Sequence, residues 1–137
     1  MTETIFSKII SKELPAEIVF EDESVMAFLD KSPINLGHTL VIPKTFYRNI
    51  FDMPAKEFGL LMTRVHTIAL AVKEASGADG INISMNNESA AGQVIFHAHV
   101  HIIPRFENDG YTHWKAKQSF SEEETLSIKT KISEILN

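Results

Sequence analysis

GQVIFHAHVHIIPR, residues 92–105, is the stretch from which the rest of the chain can be read. Its centre, His97-Ala98-His99-Val100-His101, sets three imidazoles at every second position, with Phe96, Ala98, Val100 and Ile102 beside and between them. Alternation of this kind has the period of a β-strand. It predicts one strand with the histidines on one face and the apolar residues on the other. Pro104 has no N–H to give a ladder and predicts the strand's end. Three rings ~7 Å apart along one strand face are costly to bury together as cations. At least one must stay neutral, and a neutral imidazole is a nucleophile, a base or a metal ligand.

Working outward, Ile81–Met85 reads as a neighbouring strand and Asn86–Ala91 as a polar turn. Before them, Phe58, Leu61, Met62, Val65, Ile68, Ala69 and Val72 form a broad amphipathic stripe, so the main helix is expected over Met53–Ala75. Asp52 ahead of Pro54 is its start signal and Gly77 its stop. His38–Pro43 reads as a strand ended by its proline, Asp30–Gly37 as a loop, and Ile18–Phe20 with Val25–Leu29 as a β-hairpin. Thr4 caps a short N-terminal helix that Pro15 keeps from continuing. Downstream, Glu107–Ser119 has no periodicity. A C-terminal helix is expected over Ser121–Leu136, where Ser121 and Glu124 fit a capping box and Ile128, Ile132 and Ile135 share a side. The expected fold is a single α+β domain over residues 1–137: a five-stranded antiparallel sheet, one main helix packed on it, and short terminal helices.

The bulk properties narrow the function. A chain of 137 residues is long enough for one core, and 44% hydrophobic with 23% charged residues is ordinary for a soluble globular protein. A net charge of −5 with no basic stripe gives nucleic acid no footing as a main partner. No cysteine is present, which excludes disulfides, thiolate metal sites and a Cys nucleophile. No stretch reads as a signal peptide or a membrane span, so a cytoplasmic protein without a membrane partner is expected.

His66, at the edge of the helix stripe, and His113, in the irregular segment, read as ordinary surface histidines. The three at 97, 99 and 101 do not, since an exposed sheet face carrying three imidazoles is poor for stability. Two chemistries compete for them: a histidine metal site, or one covalent nucleophile whose neighbours manage protons and charge. No carboxylate is close in sequence to complete a metal site. Asn86, Asn87, Gly92 and Gln93 flank the strand instead, and neutral donors on flexible backbone suit an anionic oxygen such as phosphate.

The motif GQ-x-x-x-H-x-H-x-H resembles the signature of the histidine triad family of nucleotide hydrolases and transferases. IFSKIISKELPAEIVFEDESVMAFLD, then SP, then GHTLVIPK are similar to the family's N-terminal half in order and spacing. The resemblance runs to about Arg105 and is closest to the purine nucleoside phosphoramidate hydrolases. It implies a HIT-like fold and a hydrolase of nucleoside 5′-monophosphate derivatives that needs no cofactor and no metal. Its substrate would be a purine nucleotide, and the chain would form a homodimer with the two sheets joined.

Residue by residue, the resemblance implies His99 as the nucleophile that forms a nucleotidyl-histidine. His97 and His101 would orient phosphate and handle protons, and His38 would hydrogen-bond into the triad. It also implies Asn86 as a phosphate contact, Asp30 as the ribose acceptor, and Ile5, Phe6, Ile9 and Phe28 as the base wall. Gln93 is expected among the substrate-binding donors. The chemistry agrees: donor-rich surroundings suit phosphoryl transfer, one carboxylate suits two ribose hydroxyls, and an apolar slot suits a base. Three alternatives stay open: a dinucleoside polyphosphate hydrolase, a metal-dependent hydrolase using the histidine cluster, and a nucleotide-binding interaction module. Val94 stands where the family commonly has Ser or Thr. Thr4, Ser7 and Phe46 stand where some relatives have zinc ligands. Tyr111 and Trp114 are expected on the substrate side, since loops after a catalytic strand often set specificity.

Overall fold

The structure, a computed structural model, describes residues 3–117 and 119–137. Helix α1 (Ile5–Ile10) is followed by strands β1 (Ile18–Glu21), β2 (Val25–Leu29) and β3 (Thr39–Pro43), then helix α2 (Ala55–Ser76). Strand β4 (Gly80–Ser84), a short 3-10 turn (Ser89–Ala91), strand β5 (Val100–Arg105) and helix α3 (Glu122–Leu136) complete the chain. The strands form one antiparallel sheet in the order β1-β2-β3-β5-β4. No helix among the described residues is long and apolar enough to cross a membrane.

Period-two alternation assigns the two faces. Val25, Ala27, Val41, Val100 and Ile102 point to one side and pack against Leu61, Val65, Ile68 and Ala69 of α2. Phe58, Met62 and Val72 flank that contact, so the whole expected stripe faces the sheet. Met26, Phe28, Leu40 and Ile42 point to the other side and pack against Phe6 and Ile9 of α1. The histidines share this second face, so among the described residues α1 is the helix beside them.

The helix ends follow local chemistry. Thr4 and Ser7 close a capping box on α1, and Ser121 and Glu124 close one on α3. Gly77 ends α2 in the left-handed conformation at φ 70°, where a Cβ would be strained. Asp52 does not cap α2. Its carboxylate accepts the N–H groups of Arg48 and Asn49 in the preceding turn, and Pro54 occupies the N-cap without a side-chain bond.

β5 corrects the sequence reading at both ends. The strand starts at Val100, so His97 and His99 lie in the irregular approach to it and only His101 is paired within the sheet. It also runs through Pro104 to Arg105. β3 pairs with β5 only as far as Ile102, so beyond that point one flank needs no ladder donor. The Pro104 carbonyl is still used, accepting Asn35 Nδ2–H at 2.9 Å.

Candidate active site

The approach to β5 is built by side chains from three loops. Gln93 is buried, with Nε2 donating to the Arg48 and Ile95 carbonyls and Oε1 accepting from Asn49 Nδ2 and the Glu88 N–H. Arg48 grips Glu88 through two bonds of 2.9 Å and lies over the Phe96 ring at 4.3 Å. The guanidinium, with Asn49 beside it, holds the Glu88 carboxyl down to about 2. Ala98 N–H is tied to the Tyr47 carbonyl at 2.8 Å. Gly92, at φ 91°, makes the turn, and Asn86 Nδ2 donates to its carbonyl. Gln93 therefore shapes the loop and is not brought to the open cavity, contrary to its expected place among substrate donors.

Hydrogen-bond partners fix which nitrogen of each ring carries its proton. His99 Nδ1 lies 2.7 Å from the His97 carbonyl, which can only accept, so Nδ1 holds the hydrogen and Nε2 keeps its lone pair. His97 Nε2 likewise donates to the Pro43 carbonyl at 2.8 Å, which leaves His97 Nδ1 as a buried nitrogen without a partner among the described residues. His38 Nδ1 accepts the Ile34 N–H at 3.1 Å, so its proton is on Nε2. That proton points at His101 Nδ1, 2.9 Å away. His101 must then carry its own hydrogen on Nε2.

The rings are held by aromatic edges. His97 sits fully buried between Phe6 and Phe46, with centroid distances of 6.0 and 5.4 Å. Phe6 also meets His99 edge-on at 5.0 Å, and His99 meets His101 at 5.1 Å. Phe46, one of the positions where relatives place a zinc ligand, is a wall for His97 here; Thr4 and Ser7 cap α1. Burial pushes His38, His97 and His99 below the ordinary histidine value. His101 is pushed down to about 4 by burial, reinforced by the neighbouring His99 and His38. In all four the shift favours the neutral ring.

Space supplies the carboxylate that sequence proximity did not. Asp30 Oδ2, His38 Nε2 and His101 Nδ1 lie within 4.8 Å of one another. Their tautomers argue against a metal. His38 Nε2 is obliged to hold a proton while the backbone N–H of Ile34 occupies Nδ1, and a metal there would need an imidazolate. The three atoms instead form a chain of hydrogen-bond donor, acceptor and nearby charge.

Two cavities meet at His101 and Asn86. One, of about 490 Å³, is lined by Ile5, Phe6, Ile9, Phe28, Asp30 and His99 together with Leu40 and Ile95. The four expected base-wall residues, the aspartate and the middle histidine are thus brought together. Leu40 and Ile95 went unnamed in the sequence because each sits in an apolar run with no mark of its own. Asp30 divides its duties: Oδ1 accepts the Ser32 N–H in a turn, and Oδ2 lies 3.6 Å from His38 Nε2. The second cavity, about 460 Å³, is lined by His38, Asn82, Ser84, Arg105, Tyr111, His113 and Trp114 among others. Arg105 is not free there: Asp109 takes it through two bonds and Asn82 through a third. His66 is exposed, as expected. A cleft of about 530 Å³ between α2 and β1, lined by Val19, Phe20 and Val72, lies on the other side of the sheet, away from the histidines.

Comparison with known proteins places these features in a family. The HIT domain model matches residues 11–108. A purine nucleoside phosphoramidase of Escherichia coli K12 is 39% identical over 103 residues, covering 74% of this chain and 86% of that protein. The protein named Protein hit of Bacillus subtilis is 39% identical over 135 residues, covering 96% of this chain and 93% of its own. A crystal structure from Streptococcus mutans UA159 superposes with a TM-score of 0.93 at 39% identity, covering all of this chain and 87% of that one. The chain belongs to the HIT domain family.

Proposed function

We propose that this protein hydrolyses nucleoside 5′-monophosphate derivatives, with a purine phosphoramidate as the preferred class, through a covalent nucleotidyl-histidine on His99. The observation that carries the reading is the His99 tautomer. With Nδ1–H committed to the His97 carbonyl, the Nε2 lone pair is the one ring nitrogen of His99 free to attack.

In the first step the His99 Nε2–phosphorus bond forms and the bond to the leaving nitrogen breaks, with a solvent water supplying that nitrogen's proton and its hydroxide being neutralised by the proton released in the second step. His101 Nε2–H, backed by His38, donates to a phosphoryl oxygen as charge builds. Asn86 adds an amide donor where the two cavities meet. In the second step water attacks phosphorus, the Nε2–phosphorus bond breaks, and nucleoside monophosphate and the proton leave. Asp30 Oδ2 accepts from the ribose hydroxyls, and the base lies among Ile5, Phe6, Ile9 and Phe28. His97 acts through its backbone carbonyl, with its ring sealed away from substrate. Similarity to the E. coli purine nucleoside phosphoramidase supports the substrate class. The active form is a cytoplasmic homodimer.

The test is turnover. Adenosine 5′-phosphoramidate should release AMP at a rate unchanged by EDTA. A rate abolished by chelation and restored by zinc would contradict the mechanism. Tight AMP binding with no cleavage of any 5′-phosphate derivative would support an interaction module instead.

A further inference from the structure

We infer that Asn35 is a positioning residue for the reaction: anchored by Asp109 and the end of β5, it fixes the ring tautomer of His38 and thereby the hydrogen that His101 offers to substrate. The inference deepens the reading above and rests on its assignment of His101 Nε2–H to a phosphoryl oxygen.

The loop between β2 and β3 carries two groups of the site, Asp30 at its start and His38 at its end. Ser32, Pro33, Ile34 and Leu36 between them are exposed. The Asn35 side chain ties this loop to the sheet. Its Nδ2 donates to the Pro104 carbonyl at 2.9 Å and to Asp109 Oδ2 at 3.0 Å, reaching 69 and 74 residues along the chain. Among the described residues, every other hydrogen bond of residues 31–36 closes within 30–38. Ser32 N–H goes to Asp30, Ile34 N–H to His38 Nδ1, and His38 N–H to the Asn35 carbonyl. Those bonds give the loop its shape, and Asn35 gives it its place.

The anchor is chemically specific. The Pro104 carbonyl and the Asp109 carboxylate only accept, so the position requires an amide nitrogen with both hydrogens. Asp109 is itself held in place, with its side chain only 6% exposed. Two Arg105 N–H bonds, at 2.8 and 3.0 Å, and then the Phe106 N–H hold its carboxyl below the usual carboxylate range. An aspartate at position 35 would have the same shape and set a second acceptor against both partners.

Counting hydrogens shows what the anchor does for the site. Two neutral imidazoles joined Nε2 to Nδ1 share one hydrogen, and it can belong to either ring. With the Ile34 N–H on Nδ1, His38 carries its hydrogen on Nε2 and donates to His101 Nδ1, which leaves His101 Nε2–H for substrate. Without the Asn35 anchor, the Ile34 N–H next to it is free to leave His38. The pair then reverses: His101 Nδ1–H donates to His38 Nε2, and His101 turns a bare lone pair toward the phosphate. That lone pair opposes the charge its hydrogen would have stabilised. Asp30 Oδ2, 3.6 Å from His38 Nε2, still favours a hydrogen there, so the reversal is partial. Asn35 lines neither cavity at the histidines and acts through His38 alone.

The test pairs steady-state kinetics on adenosine 5′-phosphoramidate with nitrogen NMR of isotope-labelled histidine rings, where protonated and bare ring nitrogens resonate apart. It uses the full-length wild type, Asn35→Asp, Asn35→Ala and Leu36→Ser. In the wild type the His38 hydrogen should be on Nε2. Asn35→Asp should lower kcat about 10-fold with KM within about three-fold, a partial loss beside the ~10²–10⁴-fold of a whole acid–base group. It should also move the His38 hydrogen toward Nδ1. Asn35→Ala, which removes the donor without adding a repelling acceptor, should act in the same direction and more weakly. Leu36→Ser, at an 86% exposed position of the same loop, should keep the wild-type kcat and tautomer. A wild-type His38 protonated on Nδ1 overturns the inference before any variant is made. So does a folded Asn35 variant whose His38 tautomer is unchanged, whether or not its kcat falls. A wild type with the expected tautomer and no turnover overturns the hydrolase reading, and the tautomer in the Asn35 variants still decides the positioning role.

Discussion

His99 differs from its two neighbours in where its ring hydrogen goes. The His97 ring donates into a sealed pocket and His101 receives a bond from His38, but His99 spends its hydrogen on a backbone carbonyl and keeps the Nε2 lone pair bare. His99→Asn should therefore lower kcat on the order of 10³-fold or more while AMP affinity, measured by calorimetry, stays within a few-fold, because base and ribose contacts lie on other residues. Because burial lowers the pKa values of these rings, the acid limb of kcat/KM should fall below pH 6.5, toward the value of about 4 at His101. A limb at or above 6.5 would show a solvated triad. The triad was legible from its alternation. The tautomers of His97 and His101 were not, because the Pro43 carbonyl lies 54 residues from His97 and the His38 ring 63 residues from His101, and no spacing rule specifies them.

Elements carried by patterned burial were readable in advance, and those carried by side-chain networks were not. The stripe from Phe58 to Val72, the Thr4 cap and the Ser121–Glu124 box are written in local spacing. The late start of β5 is not, because three-loop anchoring around Gln93 and Arg48 overrides the strand period at His97 and His99. The same network reassigns Gln93 from a substrate donor to a strut. Gln93→Ala leaves the Asn49 amide and the Glu88 N–H short of a partner, which should cost about 1–3 kcal/mol. It should appear as a lower Tm with KM little changed, whereas a raised KM at unchanged Tm would return Gln93 to the substrate. Gly92→Ala places a Cβ at φ 91° and 3.5 Å from Asn86 Nδ2, and should destabilise by about 1–2 kcal/mol in urea unfolding.

For the molecule as a whole, four histidines held below their ordinary pKa, three buried and His101 half-buried, make stability depend on pH. Their folded pKa values lie below the unfolded value near 6.5, so the unfolded chain binds more protons in that window. Stability is then fully present above pH 6.5 and is lost as pH falls through the folded values, reaching about 4 for His101. Thermal melts should show Tm falling between pH 6.5 and 5, and His101→Asn should flatten that slope; an unchanged slope would mean the triad is not the source. The sheet and its main helix could be anticipated because each buries its own apolar face. What α3 covers could not, because none of its residues is buried among the described residues.

Rapid mixing with adenosine 5′-phosphoramidate, followed by a denaturing alkaline quench that preserves nitrogen–phosphorus bonds, and mass mapping of the peptide spanning residues 92–105 reports the covalent step itself. The AMP adduct should sit on His99 and be missing from His99→Asn. An adduct on His97 or His101, or full turnover by His99→Asn with no adduct anywhere, would contradict the mechanism.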